Sequence, residues 1–371
     1  MVAMFEVQDQ AARASVRSEA LADRLFGAAV ATMDTALVHL GHRLGLYHTL
    51  ANLEPATSGE VAQAAGLHER YVREWLEQQT VSGFLECENP HANAGERRYV
   101  LPPGHAEVLL DIDHPLYLAP MPQVLMGALS GLPELTAAFR TGAGIPAERI
   151  GPDLRTGLAG MHRNLFLQDL GLEYLAQIPE VHARLSSEVP ARIADIGCGV
   201  GWSAIGMARA YPNVLVDGFG LDTSAVREAR HLARAYDVAD RVQVHLGDAS
   251  DPHLDGRYDL VTAFACVQDL GDPVSALRTM RRLAGVCSTV LIMAARVADA
   301  FDPAAGDVER YLYGLSVLHG LPAGLASQPS AGTGTVMRSD TLRGYARQAG
   351  FADIDILPLA HPFVRFYRLV R

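Results

Sequence analysis

The segment ARIADIGCGVG, residues 191–201, constrains the fold of this chain more than any other part of the sequence. A short apolar run ends at Ile196, glycines follow at positions 197, 199 and 201, and a helix-compatible run covers residues 202–211. A strand, a tight glycine turn and a helix in this order bring the backbone close to a bound ligand. The dinucleotide-binding fingerprint needs a glycine where this chain has Trp202, so the pattern argues against a hydride-transferring enzyme.

Length and composition set the broad class of the protein. The 371 residues are enough for two domains of ordinary size, and 49% hydrophobic with 20% charged residues is typical of a soluble globular protein. The sequence has no apolar run of about 18 residues, and Glu6 and Asp9 fall where a signal peptide would be apolar. The four cysteines lack the paired spacing of a zinc knuckle or a disulfide framework. We therefore expect a cytoplasmic protein without a membrane segment.

The charged residues exclude several classes of function. A net charge of −11 argues against a general nucleic-acid binder, which needs a basic surface. The chain contains no lysine, and all of its Lys and Arg total of 31 is arginine. Pyridoxal-phosphate enzymes, lysine aldolases and P-loop NTPases each need a lysine amine at a fixed place. The sequence therefore excludes all three.

Residues 1–104 have the pattern of a mostly helical winged-helix domain. Thr57 and Glu60 have the spacing of a capping box at the start of a helix-turn-helix. The predicted elements are helices over residues 10–50, 61–65 and 69–80, and wing strands that begin near residues 82 and 98. The second helix of the helix-turn-helix carries three glutamates against two arginines, whereas helices in the major groove usually present several cations. We therefore do not expect this domain to bind DNA.

The rest of the chain is divided into a helical segment and an α/β domain. Residues 105–185 are mostly helix-compatible and are broken by proline and glycine clusters, so we expect a connecting segment that roofs a pocket. Residues 186–371 alternate between the hydrophobic pattern of a strand and that of a helix. This alternation indicates a Rossmann-like, doubly wound, seven-stranded sheet. The predicted strands are 192–196, 214–221, 242–246, 259–264, 289–293, 353–357 and 363–369. The last two should form an antiparallel hairpin.

The spacing Asp-x-Gly-x-Gly-x-Gly at residues 195–201 resembles motif one of the class I S-adenosylmethionine-dependent methyltransferases. The resemblance implies that Asp195 contacts the methionine ammonium of the cofactor, directly or through water. Three glycines would let the backbone turn and approach the ligand without Cβ clashes. They are Gly197, Gly199 and Gly201.

Three further strand ends extend this resemblance. The second strand ends in Asp222, which in folds of this type can accept both ribose hydroxyls, can cap the following helix, or can do both. The pattern Gly-Asp-Ala that follows the third strand resembles the adenine site of the family and implies that Asp248 and Ala249 lie beside the adenine. Phe264, at the end of the fourth strand, is expected to form a wall of the cofactor site.

The C-terminal half is similar to bacterial winged-helix methyltransferases through residues 328–338 and 363–369. In such enzymes the N-terminal domain serves for dimerisation, which implies a homodimer. Some members methylate the β-carbon of α-keto acids, and a His-Asp pair with a later histidine surrounds a nonhaem metal. This chain has Gln268 where the pair has its histidine, and a neutral amide is a poor ligand for iron or zinc. We therefore expect no metal; Asp269 and His319 would be its ligands if one were bound.

Without a metal, Asp269 and His319 are the candidate general bases, and Gln268 lies beside them in sequence. Their structural alternatives are a turn cap for Asp269 and a core histidine for His319. Candidate substrate-binding residues come from the middle helices and the last strand. They are Met161, His162, Arg163, Phe166, Tyr174 and Arg365. Arg163 could hold a substrate carboxylate through two hydrogen bonds, whereas the apolar members could equally belong to the core.

The sequence favours a methyltransferase that uses S-adenosylmethionine and acts on a small molecule in secondary metabolism. The acceptor could be an enolisable carbon, an oxygen or a nitrogen. Two other hypotheses stay open: an enzyme of the same fold that binds the cofactor without transferring its methyl group, and a cofactor-sensing transcription factor. Only the winged helix supports the transcription factor.

Overall fold

The computed structural model describes residues 2–146, 149, 151–248, 251 and 253–371, with side chains from residue 15 onward. The chain forms two compact units, Met1–Met126 and Gly127–Arg371, and each contains its own buried apolar residues. The division falls inside residues 105–185, the predicted connecting segment. That segment is therefore shared between the two units, which differs from the boundaries proposed at residues 104 and 185.

The N-terminal unit has the predicted winged-helix order. Its elements are α1 (Val2–Arg43), α2 (Leu46–Ala51), α3 (Ser58–Ala65), α4 (Glu69–Val81), β1 (Glu86–Cys87), β2 (Tyr99–Val100) and α5 (Pro103–Leu109); α6 (Pro120–Ser130) crosses the division. Gly45, with φ of 68°, separates α1 from α2, where the sequence predicted one helix. The capping box is confirmed, because Thr57 Oγ1 accepts from the Glu60 backbone at 3.3 Å and Glu60 Oε2 accepts from the Thr57 backbone at 2.7 Å.

Helix α1 packs through its C-terminal half and leaves a long apolar stripe exposed. Trp75 of α4 donates its indole N–H to the carbonyl of Leu37 at 3.0 Å, and the Tyr47 ring lies edge-on to Trp75. The exposed apolar residues of α1 are Val16, Leu21, Leu25, Phe26, Val30, Met33 and Leu40. Within the described residues, no helix, α1 included, combines the length and the hydropathy needed to cross a bilayer.

The C-terminal unit is a sheet covered by helices on both faces. Before the sheet come α7 (Leu132–Thr141), α8 (Pro152–Asn164), a π-helix (Leu165–Tyr174), a 3₁₀ turn (Leu175–Gln177) and α9 (Pro179–Leu185). The sheet and its crossovers are β3 (Ala191–Ile196), α10 (Trp202–Ala210), β4 (Val214–Gly220), α11 (Thr223–Ala235), β5 (Val242–Leu246), β6 (Tyr258–Phe264), α12 (Pro273–Leu283) and β7 (Ala284–Ala295). After them follow α13 (Asp307–Leu315), a π-helix (Ser316–Gly320), α14 (Leu321–Gly324), α15 (Ser339–Gln348), β8 (Asp353–Ile356) and β9 (Val364–Val370).

The strand order confirms the predicted doubly wound, seven-stranded sheet. The order is β5-β4-β3-β6-β7-β9-β8, in which β3 to β7 pair in parallel and β9 pairs antiparallel with both β7 and β8. The predicted C-terminal hairpin is therefore confirmed. One core cluster lies on each face of the sheet, as expected when parallel strands are covered by helices on both sides.

Small residues allow the π-helix of residues 165–174 to pack closely against α10. A Cβ added at Gly206 would overlap the backbone carbonyl of Phe166, and one added at Gly171 would overlap the side chain of Ala210. The two backbones can approach this closely only because neither glycine carries a side chain. This packing positions the end of α8 beside the glycine turn that precedes α10.

Replacing Gly206 with alanine should destabilise the protein by about 1–3 kcal/mol, because the added methyl group forces the two helices apart. Urea denaturation would measure the free energy of unfolding. Gly314→Ala is the matched control, since Gly314 is also helical and an added Cβ there would meet no atom within 4 Å. The control should be neutral or slightly stabilising, as alanine favours helix over glycine. Equal stability of the two variants would contradict this account of the packing.

Candidate active site

Parallel strand pairing brings the predicted cofactor residues to one edge of the sheet. Ile196, at the end of β3, lies opposite Phe219 of β4 and Ala263 of β6. The carboxyl ends of neighbouring parallel strands therefore lie side by side, at the position where open α/β sheets bind ligands. The glycine turn, Asp222, Asp248 and Phe264 each lie at or just after one of these strand ends.

The three glycines of the turn all have left-handed backbone, with φ of 68° at Gly197, 54° at Gly199 and 85° at Gly201. Their surroundings differ. A Cβ at Gly197 would lie 2.6 Å from the sulfur of Cys266, and one at Gly201 would lie 3.0 Å from the Cβ of Ala229. At Gly199 it would meet no atom within 4 Å. Gly197 and Gly201 are therefore required by the protein's own packing, whereas Gly199 borders open space where a ligand can approach.

Asp195 of β3 is completely buried, and it accepts hydrogen bonds from two hydroxyl groups, one on β6 and one on α10. Its Oδ1 accepts from Thr262 Oγ1 at 2.7 Å, and its Oδ2 accepts from Ser203 Oγ. Burial raises the pKa of this carboxyl to about 6, although both hydrogen bonds favour the charged form. Both oxygens thus have protein partners, and contact of Asp195 with a methionine ammonium stays a prediction.

Asp222 occupies the N-cap position of α11, as the sequence offered alongside ribose binding. Its Oδ1 accepts from the backbone N–H groups of Ser224 at 2.7 Å and Ala225 at 3.1 Å. Its Oδ2 accepts from Arg155 Nη1 at 3.1 Å. Because Oδ1 already has two donors, Oδ2 is the oxygen with capacity left for a ribose hydroxyl. The sequence indicated no role for Arg155.

Two arginines tie α8 to the two ends of α11. Arg155 contacts the N-cap residue Asp222, and Arg163 donates through Nη2 at 3.0 Å to the hydroxyl of Tyr236, the C-cap residue. Arg163 also donates to Asn164 and lies over the Trp202 ring, 5.6 Å from its centroid. Helix α8 therefore runs alongside α11, and Arg163 holds helices together where the sequence predicted a partner for a substrate carboxylate.

Most of the aromatic residues predicted to bind substrate form a continuous buried cluster. The Phe166 ring stacks on Phe264 at 6.0 Å, and Tyr174 stacks on Phe366 at 5.2 Å. Phe264 lies edge-on to Phe366 at 6.2 Å, which joins the two pairs. Phe166, Tyr174 and Phe264 are each less than 10% exposed, so in this structure they belong to the core.

The remaining residues of the middle helices lie at the edge of this cluster. His162 packs against Phe166 with ring centroids 5.6 Å apart, and burial lowers its pKa to about 4. A neutral imidazole is therefore its form at physiological pH. Met161 is partly buried on the same helix. Of the substrate residues predicted on the middle helices, His162 and Met161 are the two that belong neither to the aromatic core nor to the contacts of Arg163.

Arg365 is separated from the other predicted substrate residues by the sheet. Its Nη1 lies 3.3 Å from Asp299 Oδ1 and 3.0 Å from Ser339 Oγ. Phe366, its neighbour in β9, packs on the opposite face with Tyr174, because successive side chains of a strand alternate between faces. The grouping of Arg365 with the middle helices is therefore corrected: it is an ion-pair residue on the other side.

The adenine side of the site is only partly described. Asp248 is exposed just after β5, and the neighbouring Gly247 donates its N–H to Gly220 O at 3.0 Å, which joins this loop to the end of β4. Ala249, also predicted to contact adenine, lies outside the described residues. Two surface grooves, of about 350 and 310 Å³, lie nearby along α11 and β5, and the second reaches Thr223 beside Asp222.

Gln268, Asp269 and the His319 segment meet beyond β6. Gln268 Nε2 donates to the carbonyl of Ala265 at 2.8 Å and to Asp269 Oδ2 at 3.0 Å. A Cβ at Gly320 would lie 3.2 Å from Asp269 Oδ1, so the helical turn that carries His319 lies against this carboxyl. Burial raises the pKa of Asp269 to about 7 and lowers that of His319. Gln268 and Asp269 are thus in direct contact, and His319 precedes Gly320, which lies against Asp269.

The side chains of Gln268, Asp269 and His319 do not fit a transition-metal site. Gln268 contributes a neutral amide, which leaves one carboxylate and one imidazole, and zinc or iron sites normally need more strong ligands. Among the described residues, no group of three or more His, Cys, Asp or Glu side chains is arranged to hold a metal ion. Metal independence stays a prediction, and no step of the chemistry below depends on a metal.

Comparison with known proteins matches both parts of the chain. Residues 30–110 match the Rv2258c-like winged HTH domain, and residues 193–285 match a methyltransferase domain. Ajmaline N-methyltransferase of Rauvolfia serpentina is 32% identical over 105 residues, which cover 28% of this chain and 36% of that protein. 27-O-demethylrifamycin SV methyltransferase of Amycolatopsis mediterranei is 34% identical over 105 residues, or 27% of this chain and 38% of that protein. The chain thus spans little more than a third of the length of the curated relatives it matches.

Solved structures resemble the chain over nearly its full length. Mitomycin 7-O-methyltransferase has a TM-score of 0.69 at 21% identity and covers 98% of this chain and 99% of its own. Human N-acetylserotonin methyltransferase in complex with S-adenosylmethionine has a TM-score of 0.65 at 16% identity and covers 94% and 97%. At these identities the likeness shows the fold. The chain therefore combines an N-terminal winged helix-turn-helix domain with a domain of the class I methyltransferase fold.

Replacing Asp195 with asparagine should stabilise the cofactor-free protein near neutral pH. The pKa of Asp195 is raised from 3.8 to about 6, so the folded state binds more protons than the unfolded state between these values. Stability is then lost as the pH rises through this window, by about 1–3 kcal/mol in total. Asparagine keeps the shape and avoids this cost.

The difference in unfolding free energy between Asp195→Asn and the parent protein, measured by urea denaturation, should favour the variant at pH 7 and vanish near pH 4. A loss of stability in the variant at both pH values would show that the charged carboxylate stabilises the fold.

Proposed function

We propose that the protein is an S-adenosylmethionine-dependent methyltransferase that acts on a small molecule in natural-product metabolism. The observation that carries this proposal is the convergence of a left-handed glycine turn, Asp222 and Phe264 at one edge of a parallel sheet. The names of the relatives support it, because they are N- and O-methyltransferases, one of them acting on a rifamycin. The absence of lysine is compatible with this function, since methyl transfer from a sulfonium needs no amine on the protein.

The residues present fit S-adenosylmethionine. The backbone at Gly199 borders open space, which leaves room for the methionine part of the cofactor. Asp222 Oδ2 would accept from a ribose hydroxyl, and Asp248 would accept from the adenine amino group. When bound, the cofactor supplies an already activated methyl group, so the protein has to align the acceptor atom and remove its proton.

Asp269 is the residue proposed to remove that proton. Its carboxyl lies beyond β6, its pKa of about 7 matches a general base that works near neutral pH, and Gln268 holds it in place through a hydrogen bond. His319 is the second candidate, and burial keeps its imidazole neutral. An O–H or N–H acceptor has a proton that such a base can take, so we propose methylation at oxygen or nitrogen.

We also propose that two copies associate through the N-terminal unit in the cytoplasm. The exposed apolar stripe of α1 supports this, because seven large apolar side chains on one helix are costly to leave in water. DNA binding finds no such support. On α4, Arg70 pairs with Glu74 and Arg73 pairs with Glu69, so glutamates neutralise the cations that would face phosphates.

Calorimetric titration with S-adenosylhomocysteine tests the cofactor assignment. Asp222→Ala should weaken its binding by about 1–3 kcal/mol, because the ribose hydroxyls lose a charged hydrogen-bond acceptor. The variant also loses a helix cap, which alone costs about 0.5–2 kcal/mol of stability. Asp272→Ala is the matched control: Asp272 caps α12 by accepting from the Ser275 backbone at 2.9 Å.

The control should lose comparable stability and keep its full affinity for the cofactor. Equal affinity of Asp222→Ala and the parent protein would remove Asp222 from the cofactor site. If the parent protein binds neither S-adenosylmethionine nor S-adenosylhomocysteine, the proposed function is wrong.

Asp269→Asn should lower turnover by about 10²–10⁴, the usual contribution of a general base, while its affinity for S-adenosylhomocysteine stays unchanged. In the parent protein the rate should rise with pH through about 7, as Asp269 loses its proton, and then level off. Release of S-adenosylhomocysteine in the presence of phenols and amines would identify an acceptor and provide the assay. A variant that keeps the parent rate and pH profile would transfer the role to His319, whose replacement by alanine is the companion measurement.

A further inference from the structure

Two buried polar atoms of the predicted reaction-centre residues, an amide oxygen and an imidazole nitrogen, have no partner in the described part of the chain. They are Oε1 of Gln268 and Nδ1 of His319. Gln268 as a whole is only 7% exposed. Buried polar atoms are nearly always hydrogen-bonded in folded proteins, so each exception needs a physical explanation. A ligand that donates hydrogen bonds is one, and both atoms lie where the acceptor substrate is proposed to bind.

The orientation of the Gln268 amide is fixed by its nitrogen. Nε2 has two hydrogens, and both are used, one toward the Ala265 carbonyl at 2.8 Å and one toward Asp269 at 3.0 Å. Oε1 therefore has to point away from the turn. Ala265 itself is left-handed, with φ of 55°, which is unfavourable for alanine. The Gln268 amide is thus held through its nitrogen by a turn with strained backbone.

The backbone that carries His319 is also unusual. His319 lies in the π-helix of residues 316–320, a form that is rare and is often found at functional sites. The following residue, Gly320, brings this turn against Asp269, because a Cβ there would overlap Thr335 and lie 3.2 Å from Asp269 Oδ1. The glycine is therefore needed for the histidine segment to reach the turn after β6. The two unpartnered atoms belong to segments that are in contact.

The charges of this set select the ligand. Gln268 Oε1 and the Asp269 carboxylate can only accept hydrogen bonds. A substrate carboxylate placed here would face these oxygen atoms, which repel it. A hydroxyl group would instead satisfy Oε1 as a donor, and it would satisfy Nδ1 in either tautomer of the imidazole, because a hydroxyl both donates and accepts.

We propose, on the basis of the function given above, that Gln268 and His319 recognise a hydrogen-bond-donating group next to the atom that is methylated. The substrate that receives the methyl group is then a neutral compound with two adjacent hydrogen-bond donor groups, such as an aromatic diol or a hydroxy-amide. Gln268 and His319 bind one of these groups, and the other faces Asp269. We expect an α-keto acid to fit this position poorly, because its keto form offers no donor and its carboxylate would face the oxygens of Gln268 and Asp269.

Titration of the full chain loaded with S-adenosylhomocysteine tests this assignment. The probes are catechol, 2-aminophenol and salicylamide as adjacent donors, and benzoate and phenylpyruvate as carboxylates. We expect the donor probes to bind and the carboxylates to bind at least about tenfold more weakly. Gln268→Leu should weaken the binding of the donor probes about tenfold. Gln348→Leu, the same change at an exposed position of α15, should leave their affinity unchanged.

His319→Phe is the second variant, because it keeps an aromatic ring and removes both nitrogens without touching the turn that holds Gln268. It should also weaken the donor probes. Binding of S-adenosylhomocysteine to every variant reports that the fold and the cofactor site are intact. If the parent protein fails to bind S-adenosylhomocysteine, the proposed function falls. Three outcomes would instead contradict only the proposed recognition by Gln268 and His319 and leave the proposed function standing. The parent protein binds S-adenosylhomocysteine but none of the donor probes, or it binds phenylpyruvate as well as catechol, or neither variant changes the affinity for the donor probes.

Discussion

The parallel pairing of β3 with both of its neighbours is the constraint on which the rest of the C-terminal unit depends. β3 lies between β4 and β6 in the sheet, and its register sets Asp195 opposite Thr262. The same register brings the turn after β3 beside the ends of β4 and β6. If β3 shifted by one residue, Asp195 would move to the other face and lose its two hydroxyl partners, because strand side chains alternate. The burial of the Asp195 carboxyl and the grouping of the candidate cofactor residues at one edge of the sheet therefore depend on the same backbone hydrogen bonds, those that pair β3 with β4 and β6.

Signals local in sequence made most of this architecture predictable. The alternation of strand-like and helix-like patterns located all seven strands, and the capping box at Thr57 located α3. The tertiary partners could not be predicted in the same way. Arg155 reaches Asp222 across 67 residues, and no short-range pattern links an exposed helical arginine to a helix cap. The π-helix of residues 165–174 likewise depends on close packing of Gly206 and Gly171, which only the folded chain reveals.

The candidate site was harder to predict than the fold, because the same residue types serve packing and binding. Phe166 and Tyr174 have the composition of a pocket wall, yet they stack on Phe264 and Phe366 inside the core. Glycines behave similarly, since Gly197 and Gly201 are explained by Cys266 and Ala229 without any ligand. Arg365 shows a different limit. Its alternation with Phe366 was readable from the strand, but only the packed sheet shows which face meets the middle helices.

The residue at position 268 determines which groups the segment beyond β6 can offer to a ligand. A histidine at position 268 would add a metal ligand or a base next to Asp269, whereas Gln268 adds a fixed carbonyl oxygen and neutral donors. Those donors hold Asp269 and the left-handed Ala265 together, so the amide cannot turn to offer its nitrogen to a ligand. In the function proposed above, proton removal falls to Asp269, a carboxyl whose pKa is already raised by burial, and recognition falls to a Gln268 amide oxygen that has no partner among the described residues.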